Sequence, residues 1–195
     1  MVKQTPFSIY CLKLFGGSVF GVFVCFCIDR ILNIQQANFW QSLFMALSYL
    51  FMYSLFPYYV SSRQADRDRK LLRYKEHYPQ EIPYSLESLN QPKKGLKAGF
   101  IVMIPHMATT IIPLLTFFGV TENQNAIYCL LNIHLREWID FAVPAGTNGT
   151  WLGILLLIAY QFFLPLISHF GYVVTFREIP VVRNILYKKE EKPKK

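Results

Sequence analysis

Long apolar runs separated by clusters of charge set the pattern of this chain. Four runs, at about 12–28, 39–60, 98–120 and 151–174, approach or exceed the roughly 20 apolar residues that a helix needs to cross a bilayer core. The first is the shortest, and Lys13 at its edge is expected to snorkel toward the headgroups. No small-x-small cleavage pattern follows this run, so it is expected to remain as a span. After the second run, SSRQADRDRKLLRYKEHY has few breakers and predicts a charged helix continuing out of the membrane. PQEIPYSLESLNQPKKG, with its prolines and terminal glycine, predicts a turn-rich connector.

Between the third and fourth runs the period changes. Ile127, Leu130, Leu131, Leu135, Trp138 and Phe141 share one side of a helical wheel, and Asn125, Asn132, Arg136 and Asp140 lie opposite. This predicts an amphipathic helix over about 125–142, lying in the outer interface. The whole pattern predicts an all-α integral membrane four-helix bundle with an outer interfacial amphipathic helix. It forms one membrane domain over 1–195, with a loop at 61–97 and a basic tail at 177–195.

Composition agrees with that picture. Charged residues make up 16% and hydrophobic ones 53%, against roughly 25% charged in soluble domains. Of 20 Lys and Arg residues, only Arg30 and Arg136 fall in the connections after the first and third runs. Such bias puts both termini and the 61–97 loop in the cytoplasm. The net charge of +8 follows from this placement. With no RNP-like or helix-turn-helix pattern, nucleic acid is not an expected partner. The lipid bilayer is, and with it anionic lipid head groups. Cys11, Cys25 and Cys27 fall in the first run and Cys129 stands apart, so they form neither a disulfide framework nor a zinc knuckle.

Polar groups inside spans are the first candidates for chemistry. In the third run, Gly99, Met103, His106, Thr109, Thr110 and Pro113 share a side. In the fourth, Gln161, Pro165, Ser168 and Tyr172 do the same. A cavity between these spans, lined by His106, Thr109, Thr110, Gln161 and Ser168, is the candidate substrate site; the plainer reading of His106 is an interhelical hydrogen bond beside Pro105. The span cores contain no Asp or Glu, which argues against an ion-driven pump. Gly17 and Gly21 form a GxxxG pair and are candidate helix-packing positions, either within the chain or toward a partner.

His134 is the one polar group on the apolar side of the outer helix, a candidate interfacial hydrogen-bonding residue. An enzyme working through His134, Glu137 and Asp140 would need them on one cleft, but the wheel spreads them across a third of the circumference. No HExxH, Cys pair or Ser-His-Asp layout is present, so no metal, cofactor or catalytic set is expected. Tyr59 and Tyr74 share the spacing of Tyr172 and Tyr187, which fits a duplicated hairpin or simply aromatics gathering at the interface.

The segments KKGLKAGFIVMIPHMATTIIPLL, NAIYCLLNIHLREWIDFAV and HFGYVVTFREIPVVRNILYKK, with Gly171-Tyr172 and Tyr187-Lys188-Lys189, resemble uncharacterised small multi-span proteins of Gram-positive bacteria. The resemblance covers the second half of the chain. It implies a bacterial cytoplasmic membrane and no particular activity. The residues themselves point to a non-enzymatic accessory or interaction subunit, packing against a membrane protein partner or as a homo-oligomer. The alternative is a small-molecule or lipid carrier using the cavity between spans three and four.

Overall fold

A computed structural model describes residues 5–32, 39–80, 91–109, 111, 115, 118 and 151–178. The outer amphipathic helix with His134, the connector at 81–90 and the tail beyond 178 lie outside the described residues.

The described residues are mostly helical and contain no strand: α1 (Phe7–Leu32), α2 (Phe39–His77), α3 (Lys94–Thr109), α4 (Trp151–Gln161) and α5 (Phe163–Phe176). Three stretches are long and apolar enough to cross a membrane: Phe7–Ile31, Trp40–His77 and Ile158–Phe176. α1 outruns the expected 12–28 because both flanking charges are accommodated. Tyr49 Oη donates to Asp29 Oδ1 at 3.1 Å, and Lys13 opens onto a cleft described below.

At 1.5 Å per residue, α2 is about 58 Å long, so it outreaches the ~30 Å hydrocarbon core by several turns. Its charged second half is the predicted continuation of the second run.

Two prolines shape the helices. Pro57 lies inside α2 and is fully buried. Having no N–H, it leaves the Tyr53 carbonyl without its helical donor. Gly21 of α1 approaches that same carbonyl: a Cβ there would lie 3.1 Å from it. Gly17 meets Val60 in the same way, also at 3.1 Å. The GxxxG pair is thus used inside the chain, between α1 and α2. Pro165 acts more strongly, by freeing the Gln161 carbonyl. The chain tightens to an i→i−3 bond, Phe162 N–H to the Ala159 carbonyl at 3.2 Å, and the fourth run divides into α4 and α5.

The closest approach joins α3 to α5. A Cβ on Gly99 would lie 2.5 Å from Pro165 Cα, and one on Gly95 would lie 2.6 Å from Tyr172 Cβ and 2.7 Å from the Ser168 carbonyl. Gly95 and Gly99 are a second GxxxG pair, half hidden in the sequence by the lysines around them. Gly171 faces the Tyr58 carbonyl of α2 with a corresponding 2.7 Å. α5 is therefore clasped between α2 and α3, with α1 across the bundle from it, touching both α2 and α3.

Polarity is arranged inside out. Phe23, Phe44, Phe51, Ile104, Leu155 and Leu166 are all more than half exposed. The buried set includes Ser18, Ser54, Ser61, Gln64, Asp68, Lys94, Gln161 and Ser168. Large apolar side chains turned outward over buried polar ones are compatible with hydrocarbon around the helices. The apolar core itself is small, built from Tyr10, Leu14, Cys25, Met45, Tyr49, Tyr53, Ala98, Val102 and Leu164. Tyr59 is 55% exposed while Tyr172 is fully buried, so the two echo positions occupy unlike environments.

Candidate functional site

The start of α1, the second half of α2, the start of α3 and the end of α5 meet at one end of the molecule, called here the basic end. The part of α2 beyond Val60 carries a stripe at helical spacing, Ser61, Gln64, Ala65, Asp68 and Leu71, and every member is buried. Asp68, 1% exposed, is the centre of a cluster. Its Oδ1 accepts from Gln64 Nε2 at 2.9 Å. Its Oδ2 accepts from Lys94 Nζ at 2.6 Å and from Tyr172 Oη at 2.7 Å. Tyr10 packs on Tyr172, ring centroids 6.4 Å apart, and donates to Ser61 Oγ at 2.9 Å. One carboxylate thus ties α2, α3 and α5 together, with α1 closing over them through Tyr10. Lys94, at 5% exposure, draws the start of α3 four residues earlier than the apolar run predicts.

Charge pairs extend the joint outward. Arg69 reaches Asp66 at 2.8 Å, Glu178 at 2.8 Å and the Thr175 carbonyl at 3.3 Å. Arg73 meets Glu178 at 2.7 Å, and the Ser62 and Thr175 hydroxyls are 2.7 Å apart. Glu178 sits at φ 53° just past the end of α5. That left-handed conformation costs a non-glycine residue roughly 1–2 kcal/mol, and the two arginines hold it there.

Asp66 is held below the usual carboxylate range, first by the hydrogen bond from Lys70 and then by the charges of Lys70 and Arg69. A depressed carboxylate stabilises the fold above its ordinary range and loses that contribution as pH falls through the lowered value. The pair is largely exposed on the lysine side, so its worth is under about 1 kcal/mol. An Asp66→Asn chain is expected to lose correspondingly less stability than the parent between neutral pH and pH below the carboxylate range, read as the difference in unfolding midpoint across that interval.

Beside the buried cluster, between α1 and α2, lies a cleft of about 570 Å³. Lys13, Arg63, Arg67 and Lys70 line it, with Asp66, and Tyr10 and Gln64 join it to the Asp68 cluster. Arg63 is fixed in place: its Nε donates to Tyr59 Oη at 2.9 Å and its guanidinium lies 5.2 Å over the Tyr59 ring.

The candidates drawn from the spans are placed as follows. His106 turns toward α1 and α2, between the Phe15 and Tyr53 rings, with Nε2 2.9 Å from Ser18 Oγ. Ser18 spends its one proton on the Phe15 carbonyl at 2.7 Å. The hydroxyl therefore accepts, and His106 carries its proton on Nε2. Gln161 and Ser168 are buried, and neither Gln161 Nε2 nor Ser168 Oγ has a partner among the described residues. The Thr109 side chain, Thr110 and His134 lie outside the described residues. His106 is thus directed to α1 and α2, whereas Ser168 lies level with Gly95 at the α3–α5 crossing. Sequence reasoning missed Asp68, Lys94 and Tyr172 as a unit, although the stripe from Ser61 to Leu71 carried the signal for its α2 half.

Compared with protein families, curated proteins and solved structures, the chain matches none of them.

Proposed function

We propose that this chain is a four-span integral membrane protein that works by binding rather than by catalysis, as an accessory or interaction subunit packing against a membrane partner or a second copy of itself. In this reading α3 continues through 98–120 as the third span, the outer amphipathic helix follows, and the basic end faces the cytoplasm of a bacterial cell. The observation that supports it best is the inside-out polarity: large apolar side chains face outward along every described helix, while the buried polar groups of α2, α3 and α5 serve to hold helices together. Crosslinking in native membranes, followed by purification in mild detergent, tests the role. A partner or a second copy is expected on the crosslinked chain; a stable monomer with no crosslinked neighbour would remove the proposal.

A second reading is a small-molecule or lipid carrier with its site between α3 and α4–α5; of the five residues expected there, Thr109, Thr110, Gln161 and Ser168 would form it, while His106 is engaged by Ser18 of α1. Its support is the pair of buried polar atoms, on Gln161 and Ser168, that have no partner among the described residues. Each such group costs about 1–3 kcal/mol, a penalty that a ligand would relieve. Ser168→Ala decides between the two. Under the first reading the variant is as stable as the parent or more so, and copurifying molecules are unchanged. Under the second, it loses a copurifying ligand.

A further inference from the structure

We infer that the cleft between α1 and α2 is a binding site for the phosphate-bearing head group of an anionic glycerophospholipid. Four cations from two helices converge on it, and among the described residues Lys13, Arg63 and Arg67 have no acidic partner. The one acid on its rim, Asp66, is already held by Lys70 and Arg69 at 2.7 and 2.8 Å. An anion entering the cleft therefore meets a surplus of positive charge and displaces no existing ion pair of those three residues.

Geometry adds to charge. Arg63 is braced against Tyr59 through Nε, which turns its terminal nitrogens to other uses. A planar guanidinium fork suits a phosphate's paired oxygens. Arg67 follows one turn on, and Lys13 reaches in from α1 as a point charge. A volume of about 570 Å³ lies within the roughly 300–1,000 Å³ of small-molecule sites, more than a bare phosphate fills.

Position identifies the source of the phosphate. Val60, where the apolar part of α2 ends, lines the cleft. Continuing along the same seam, Gly17 meets Val60, and then Phe20 stands edge-on to Phe56 at 4.8 Å with half its surface exposed. A ligand whose anionic head lies among Lys13, Arg63 and Arg67 thus finds its next surface apolar and outward-facing. That is the order of groups in a phospholipid, head then acyl chain. A soluble phosphate ester would use only the charged half. The inference rests on the chain lying in a membrane, but not on any protein partner.

The test uses the full chain in nanodiscs of phosphatidylcholine with rising fractions of phosphatidylglycerol, released for native mass spectrometry. The parent is expected to retain one phosphatidylglycerol in preference to phosphatidylcholine. Near a membrane surface each lysine or arginine strengthens anionic-lipid binding by about fivefold. The variant Lys13→Gln/Arg63→Gln/Arg67→Gln, all exposed positions, is therefore expected to shift the half-retention point by roughly a hundredfold. Lys93→Gln/Lys97→Gln/Arg177→Gln, exposed at the same end and outside the cleft, removes equal charge but acts on a head group in the cleft only through screened long-range attraction, and is expected to shift retention about tenfold less than the cleft variant. Circular dichroism in detergent verifies that both variants remain helical. The inference is overturned if the triple cleft variant retains lipid like the parent, or if the control loses as much, which would show diffuse attraction. Glycerol phosphate in the millimolar range, binding the detergent-solubilised chain as tightly as the lipid does, would overturn the lipid assignment in favour of a soluble phosphate ester.

Discussion

Replacing Asp68 by Ala is expected to destabilise the chain by about 3–5 kcal/mol, because removing one partner of a buried pair strands the other charge. Lys94 would remain at 5% exposure with its acceptor gone. Gln64 and Tyr172 would each lose a hydrogen-bond acceptor as well. Lys94→Met should cost a similar amount, by leaving the carboxylate with two neutral donors only. The double variant Asp68→Leu/Lys94→Met removes the stranded charge and is expected to recover part of the loss, the remainder being the buried Gln64 and Tyr172 donors left without an acceptor, at about 1–3 kcal/mol each. Unfolding by denaturing detergent, followed by circular dichroism, measures the parent and the three variants. Single variants within about 0.5 kcal/mol of the parent, the range of ordinary surface substitutions, would mean that the cluster does not hold these helices together.

The second large effect belongs to the α3–α5 crossing. Gly99→Ala would place a methyl 2.5 Å from Pro165 Cα, and Gly95→Ala would place one 2.7 Å from the Ser168 carbonyl. In both cases backbone is in the way, and Pro165 fixes its own backbone angle. Overpacking of this kind costs about 1–3 kcal/mol, and Gly99→Val should lie at or beyond the upper end. Gly16→Ala serves as the control. Nothing lies within 4 Å of its Cβ, so the helix gains about 0.5–1 kcal/mol from losing a glycine. Equal and small effects at Gly99 and Gly16 would show that α3 and α5 are not in close contact. The same unfolding assay reads both.

The sequence disclosed the helical class and, among its four expected runs, three helices long and apolar enough to cross a membrane, because run length and charge exclusion are one-dimensional signals. The extension of α2 was equally legible, since SSRQADRDRKLLRYKEHY contains nothing that stops a helix. What the runs did not show is that helices continue past the charges that bound them. Lys94 and Asp29 lie inside helices because Asp68 and Tyr49, distant in sequence, provide their partners. The division at Phe162 needed the lost donor of Pro165 to outweigh an unbroken apolar run. For the site, the shared faces of α3 and α5 were readable from a wheel, but the direction of His106 was not, because Ser18 lies 88 residues away. Asp68 is hidden because it stands among eight other charged residues in a helix expected to continue out of the membrane. Its small and polar stripe, Ser61 to Leu71, has the period of a buried face. The Gly95–Gly99 pair was passed over because lysines at 94 and 97 made the segment look like a loop edge.

The most direct test of the membrane arrangement is single-cysteine labelling with a membrane-impermeant maleimide on intact cells, in a background lacking the four native cysteines. Four spans with the basic end in the cytoplasm place Thr147→Cys outside and Gln80→Cys inside. Thr147→Cys is then labelled on intact cells, and Gln80→Cys only after permeabilisation. Labelling of Gln80→Cys on intact cells, or protection of both positions until the membrane is opened, would contradict the four-span arrangement.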